Sequence, residues 1–176
     1  EPTAALDLLE YCTVASCQFL DLVAETGADM LSNGDSPAGP ELISPEMYQQ
    51  FALPYEQRLV KKSHEHDLPY ALHICGDTEP ILELMLQSRA DALELDYKTN
   101  TEAAHHVLKG NATFIGNLDP VGVILQGSPE TVRQATRQVV ETFNDTPQFI
   151  LNAGCAIPAD TRSENIHAMI SAAREH

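Results

Sequence analysis

Strand-like and helix-like stretches alternate five times along this chain, and that order restricts the fold more than any single motif does. Residues 29–33, 70–75, 92–96, 112–116 and 148–153 read as short strands. Helical patterns fill the intervals. Residues 4–26 carry Leu8, Cys12, Ala15, Phe19 and Leu22 on one face, so Cys12 is expected in the core, and Gly27 closes this helix; Cys17 has no partner signal. Ser44-Pro45-Glu46 supplies a cap, a first-turn proline and a first-turn acid for a helix to about residue 66, which Pro54 must kink or divide. Asp77 or Thr78 caps a helix bearing Ile81, Leu84 and Met85, and a short helix lies near 101–109. Ser128-Pro129-Glu130 opens another, with Val132, Ala135, Val139 and Phe143 as its stripe. Thr161-x-x-Glu164 reads as a capping box for the last helix, which bears Ile166, Met169 and Ile170. Such alternation builds right-handed βαβ units on a parallel sheet, here a single α/β domain over residues 1–176.

In such folds chemistry gathers at the carboxyl ends of the strands. Leu72-His73-Ile74-Cys75-Gly76-Asp77 ends one strand with an imidazole and a thiol two residues apart. Alternation of side chains puts His73 and Cys75 on one face, Leu72 and Ile74 on the other. Far along the chain, Cys155 follows the apolar run Phe149-Ile150-Leu151. His73, Cys75 and Cys155 with a fourth position open form a ligand set suited to a catalytic zinc. Taken singly, each is more commonly a small buried residue or a hydrogen-bonded core histidine, and the distant cysteine shifts the balance. Asp35, Glu94, Asp96 and Asp119 stand at or just past strand ends and are candidates for a fourth ligand or for substrate binding; capping and solvation are the competing roles. His105 and His106 fall in a helix pattern and read as surface residues, as do His64 and His66.

Composition excludes several classes. Of 176 residues, 26 are acidic and 10 basic, a formal charge of −16 that repels phosphate backbones and anionic membranes, so nucleic acid is not an expected partner. No apolar run approaches the ~20 residues of a membrane span, and no basic-then-apolar leader opens the chain, so no membrane association is expected. Four cysteines do not make a disulfide scaffold here, and a reducing cytoplasm is the expected location. Neither a Gly-x-Gly-x-x-Gly turn nor a phosphate loop is present, which argues against a nucleotide-binding Rossmann domain.

Four segments together resemble a known family: Ile43-Ser44-Pro45-Glu46-Met47-Tyr48, His73-Ile74-Cys75-Gly76, Gly116-Asn117-Leu118-Asp119-Pro120 and Gly154-Cys155-Ala156-Ile157-Pro158. In this order they resemble the uroporphyrinogen decarboxylase superfamily, most of all its methylcobamide:coenzyme M methyltransferase branch. The resemblance implies a TIM-barrel fold of (β/α) units, the five here corresponding to the C-terminal part of a (β/α)8 barrel. It implies Zn2+ on His73, Cys75 and Cys155, a small thiol such as coenzyme M as acceptor, and a corrinoid protein that carries the methylcobamide. The other activities it implies are decarboxylation of uroporphyrinogen, as in porphyrin and heme biosynthesis, and non-catalytic binding of a corrinoid or tetrapyrrole. The catalytic aspartate and arginines of the decarboxylases belong to an amino-terminal half that has no counterpart here, which argues against autonomous decarboxylation. A full barrel takes ~250 residues. Five parallel strands leave two open edges, so either an N-terminal half is missing or the sheet is completed in a homo-oligomer.

Overall fold

A computed structural model describes residues 2–175. Five strands, β1 (Leu31–Gly34), β2 (Tyr70–Ile74), β3 (Ala92–Leu95), β4 (Thr113–Leu118) and β5 (Phe149–Ala153), form one parallel sheet in the order β1-β2-β3-β4-β5. The seven α-helices among the described residues are α1 (Pro2–Ala24), α2 (Pro45–Phe51), α3 (Leu53–His64), α4 (Leu82–Gln87), α5 (Thr101–Leu108), α6 (Pro129–Thr142) and α7 (Ser163–Arg174). Each strand is the neighbour of the one before it, without the reversal of order that a doubly wound sheet needs. Right-handed crossovers in such an order put every helix on one side, the winding of a (β/α) barrel segment.

The two faces of the sheet differ in kind. Towards the helices, Leu31, Tyr70, Leu72, Ile74, Leu93, Leu95 and Phe114 are buried in the main core, where Phe114 stacks on Phe143 and Phe149. On the other face Ala71, Ala92 and Ile115 form a small separate cluster. The next inward position on β2 is His73 and on β3 Glu94, and register pairs these two residues. The inner face therefore turns from apolar to polar towards the carboxyl ends of the strands.

Local chemistry accounts for most element boundaries. Ser44 accepts from the Met47 N–H at the start of α2, Ser128 from the Thr131 N–H at the start of α6, and Asn100 from the Ala103 N–H at α5. The division expected at Pro54 occurs at Ala52, between α2 and α3. Asp77 accepts from the Glu79 N–H and opens a short 3-10 turn, after which α4 begins at Leu82.

Four expectations are corrected. The first strand lies at 31–34 instead of 29–33, because its ladder begins where Leu31 meets Tyr70. The fourth strand runs on through Asn117 and Leu118, which pair with Asn152 and Ala153 of β5. Cys12 is exposed, as are Leu8, Ala15, Phe19 and Leu22: α1 turns its Leu9, Thr13 and Leu20 side inward and leaves the expected stripe outside. The Thr161–Glu164 capping box does not form. Arg162 caps α7 without a side-chain bond, because Arg162 and Asn165 both donate to the Gly127 carbonyl and these ties fix the helix start further along.

Candidate metal centre

Three side chains meet above the carboxyl end of the sheet. One ligating atom from each of His73, Cys75 and Cys155 lies within 4.8 Å of the other two. His73 ends β2 on the inner face, and Cys75 comes one residue after the strand, where Gly76 at φ +88 turns the chain. Asp96 holds that turn: its Oδ2 accepts the Gly76 N–H at 2.9 Å while its Oδ1 accepts the Lys98 N–H at 3.1 Å. Cys155 is set by Gly154, whose N–H donates to the Leu118 carbonyl at 2.7 Å. A Cβ on Gly154 would stand 2.2 Å from the Tyr97 nitrogen, so only glycine lets β5 bring Cys155 this close to the β3 loop.

The imidazole is oriented for ligation. His73 Nδ1 lies 3.0 Å from the Glu94 carbonyl oxygen. A carbonyl can only accept, so Nδ1 carries the proton and Nε2 keeps its lone pair. That nitrogen faces Cys75 Sγ at 3.1 Å. A carbonyl on the far nitrogen and a free lone pair on the near one is the arrangement of metal-binding histidines. Glu94 Oε2 stands 3.6 Å from His73 Nδ1, and Glu94 Oε1 accepts from Asn152 Nδ2 at 2.7 Å.

The thiols are not equivalent. Burial pushes the Cys155 thiol up; the Ala156 N–H pulls it back, and the neighbouring Cys75 sulfur raises it further. Cys75 Sγ accepts from Ser36 Oγ at 3.1 Å, a contact from the loop after β1 that no sequence signal marked.

The other carboxylates considered from the sequence are engaged otherwise. Asp35 is raised by burial and acts electrostatically on Tyr48, Glu56 and Tyr70. Asp96 spends both oxygens on backbone N–H groups. Asp119 accepts from Val121 and Gly122 N–H, capping the helical turn Pro120–Leu125. Glu94 has an oxygen beside His73, 3.6 Å from Nδ1, the ring nitrogen turned away from the Cys75 sulfur. Among the histidines outside the site, His64, His66 and His105 bind Asp91, Asp21 and Asp145 in turn. His105 is half-buried against Phe143 instead of lying freely on the surface.

The family model described as uroporphyrinogen decarboxylase (URO-D) matches residues 1–176. The chain is 34% identical over 169 residues to a methylcobamide:CoM methyltransferase MtbA of Methanosarcina mazei, covering 96% of this chain and 48% of that protein. It is 31% identical over 179 residues to a uroporphyrinogen decarboxylase of Prochlorococcus marinus, covering 99% and 48%. A solved structure of a methyltransferase from Methanosarcina mazei superposes with TM-score 0.83 at 27% identity, over 93% of this chain and 47% of that one. The chain spans about half the length of these relatives.

Proposed function

Since the chain belongs to the uroporphyrinogen decarboxylase family, we propose that it carries the metal site of a methyltransferase. That enzyme moves a methyl group from a methylated corrinoid protein to a thiol such as coenzyme M. The observation that carries this reading is the convergence of His73, Cys75 and Cys155 within 4.8 Å.

The residues fit a zinc ion. Donors around tetrahedral zinc stand about 3.3–3.8 Å apart, so the 3.1 Å and 4.8 Å limits here require rotamer adjustments of about 1 Å. His73 would bind through Nε2 and the cysteines as thiolates, which leaves the fourth position to a substrate thiol, while Glu94 stands on the Nδ1 side of the imidazole. When bound, zinc would hold the substrate's thiol as thiolate near neutral pH. Asn152 holds Glu94, and the His73 Nδ1–carbonyl bond holds the imidazole with Nε2 turned to the cysteines. In the assigned reaction a sulfur–carbon bond forms and the cobalt–carbon bond breaks, its electron pair staying on cobalt.

Relatives named as methylcobamide:CoM methyltransferases support this reading, and both cysteine donors are half-buried at the strand ends. The decarboxylase alternative needs no metal and leaves three convergent soft donors without a role. Elemental analysis of the purified chain tests the choice. One equivalent of zinc is expected, lost in Cys75→Ala and Cys155→Ala together with methyl transfer, with melting behaviour retained. Metal-free protein, or full methyl transfer in either variant, would overturn the proposal. Loss of the fold together with the metal would mark the zinc as structural.

A further inference from the structure

The loop after β1 is fastened to the strand that carries two of the three donors. The Asp35 N–H donates to the His73 carbonyl at 2.8 Å. Gly39 packs so tightly that a Cβ there would stand 2.8 Å from the Cys75 carbonyl oxygen. Between these two fixed points lies Ser36, at the start of the 3-10 turn Ser36–Ala38, whose backbone is held by Pro37 and by the Gly39 N–H on the Ser36 carbonyl. Its hydroxyl donates to Cys75 Sγ at 3.1 Å.

A methyl-transfer site with two cysteine ligands faces a selectivity problem. The electrophilic methyl must reach the substrate's sulfur, although two protein thiolates stand within a few ångströms of it. A hydrogen bond into a thiolate ties up one lone pair and draws charge from the sulfur, lowering its nucleophilicity while leaving it able to bind a metal. Cys75 receives such a donor in the Ser36 hydroxyl. The geometry points to Ser36 as a positioning residue that restrains Cys75, keeping it a ligand and directing methylation to the substrate thiol. This assignment rests on the metal-site reading above. The Ser36 donor depends on one side chain, so a single substitution removes it.

The test uses the zinc-loaded chain and its Ser36→Ala, Ser36→Gly and Ser36→Thr variants, treated with methyl iodide. A sulfur–carbon bond forms, the carbon–iodine bond breaks and iodide leaves with the electron pair. Mass spectrometry follows Cys75 and Cys155 separately. Removing the hydroxyl is expected to speed methylation of Cys75 about tenfold and leave Cys155 unchanged, with Ser36→Thr restoring the wild-type rate. In cobalt(II)-substituted protein the sulfur-to-metal charge-transfer band is expected to move to lower energy in the Ala and Gly variants and return in Thr. Equal Cys75 rates with an unmoved band, in protein that holds metal, would overturn the role of Ser36 alone. Equal acceleration of both cysteines would also overturn it, as general loosening of the loop. Wild-type chain that takes up neither zinc nor cobalt would overturn this assignment and the metal reading together.

Discussion

Asn152 reaches from β5 over β4 to Glu94 on β3, its Nδ2 donating to Glu94 Oε1 at 2.7 Å. The bond leaves the other Glu94 oxygen beside His73, 3.6 Å from Nδ1. Asn152→Ala should release the carboxylate from beside His73 and weaken zinc binding about tenfold without unfolding the chain, as loss of a partner around a ligating histidine does elsewhere. Competition against a chromophoric chelator measures this. Unchanged affinity would mean that Glu94 takes no part in the site.

Gly154→Ala tests how Cys155 is placed. The added Cβ would meet the Tyr97 nitrogen at 2.2 Å and the Asp96 carbonyl carbon at 2.9 Å, both backbone atoms that cannot rotate away. A cost of at least about 2–3 kcal/mol is expected, together with loss of zinc, since the strand end carrying Cys155 must shift. Wild-type denaturant midpoint and full zinc content in this variant would show that the two loops are freer than their packing implies.

Glu56 makes stability depend on pH. Its carboxyl is buried beside Tyr48, whose hydroxyl donates to it; burial pushes it up to about 7, Asp35 adds repulsion, and the Tyr48 bond opposes both. In the unfolded chain it titrates near the ordinary 4.5. Its contribution is therefore fully present below that pH and is lost as pH rises through about 7, a difference of roughly 3 kcal/mol. Glu56→Gln keeps an acceptor for Tyr48 and removes the charge. At pH 8 this variant should melt about 5–10 °C above wild type, with the gap closing towards pH 5. Parallel melting curves across that window would exclude Glu56 as the titrating group.

The surface of the isolated chain should drive association. β1 and β5 are the edges of the sheet, and α1 exposes Leu8, Tyr11, Phe19 and Leu22, with Tyr11 75% accessible. Covering even ~800 Å² of apolar surface, at about 25 cal/mol per Å², offsets much of the cost of association. Light scattering after size exclusion should show species larger than a monomer at tens of micromolar. A monodisperse monomer would rule this out.

Some of these features were open to sequence reasoning and others were not, for physical reasons. The alternation of elements is written in side-chain periodicity, and period two alone places His73 and Cys75 on one face of β2. Serine–proline–glutamate marks two helix starts because capping is local chemistry. The orientation of α1 is different: this helix has apolar residues on two sides, Leu9-Leu20 and Leu8-Phe19-Leu22, and only packing against α3 decides between them. Glu56 reads as an ordinary first-turn acid until Tyr48 is seen closing over it. Ser36 and Asn152 act across 39 and 58 residues of chain, contacts that no local pattern encodes. Thr161 has the spacing of a cap, yet Asn165 and Arg162 bind the Gly127 carbonyl and override it.

Because two donors ride on β2 and its first following residue, they share the fate of that strand's alignment. A slip of one position against β1 or β3 would turn His73 and Cys75 together into the helical layer, leaving Cys155 alone. A β2 slipped by one position keeps neither of its two donors at the centre. The zinc proposed for this centre would then count molecules with β2 in register, a gauge of folding quality in a preparation of this protein.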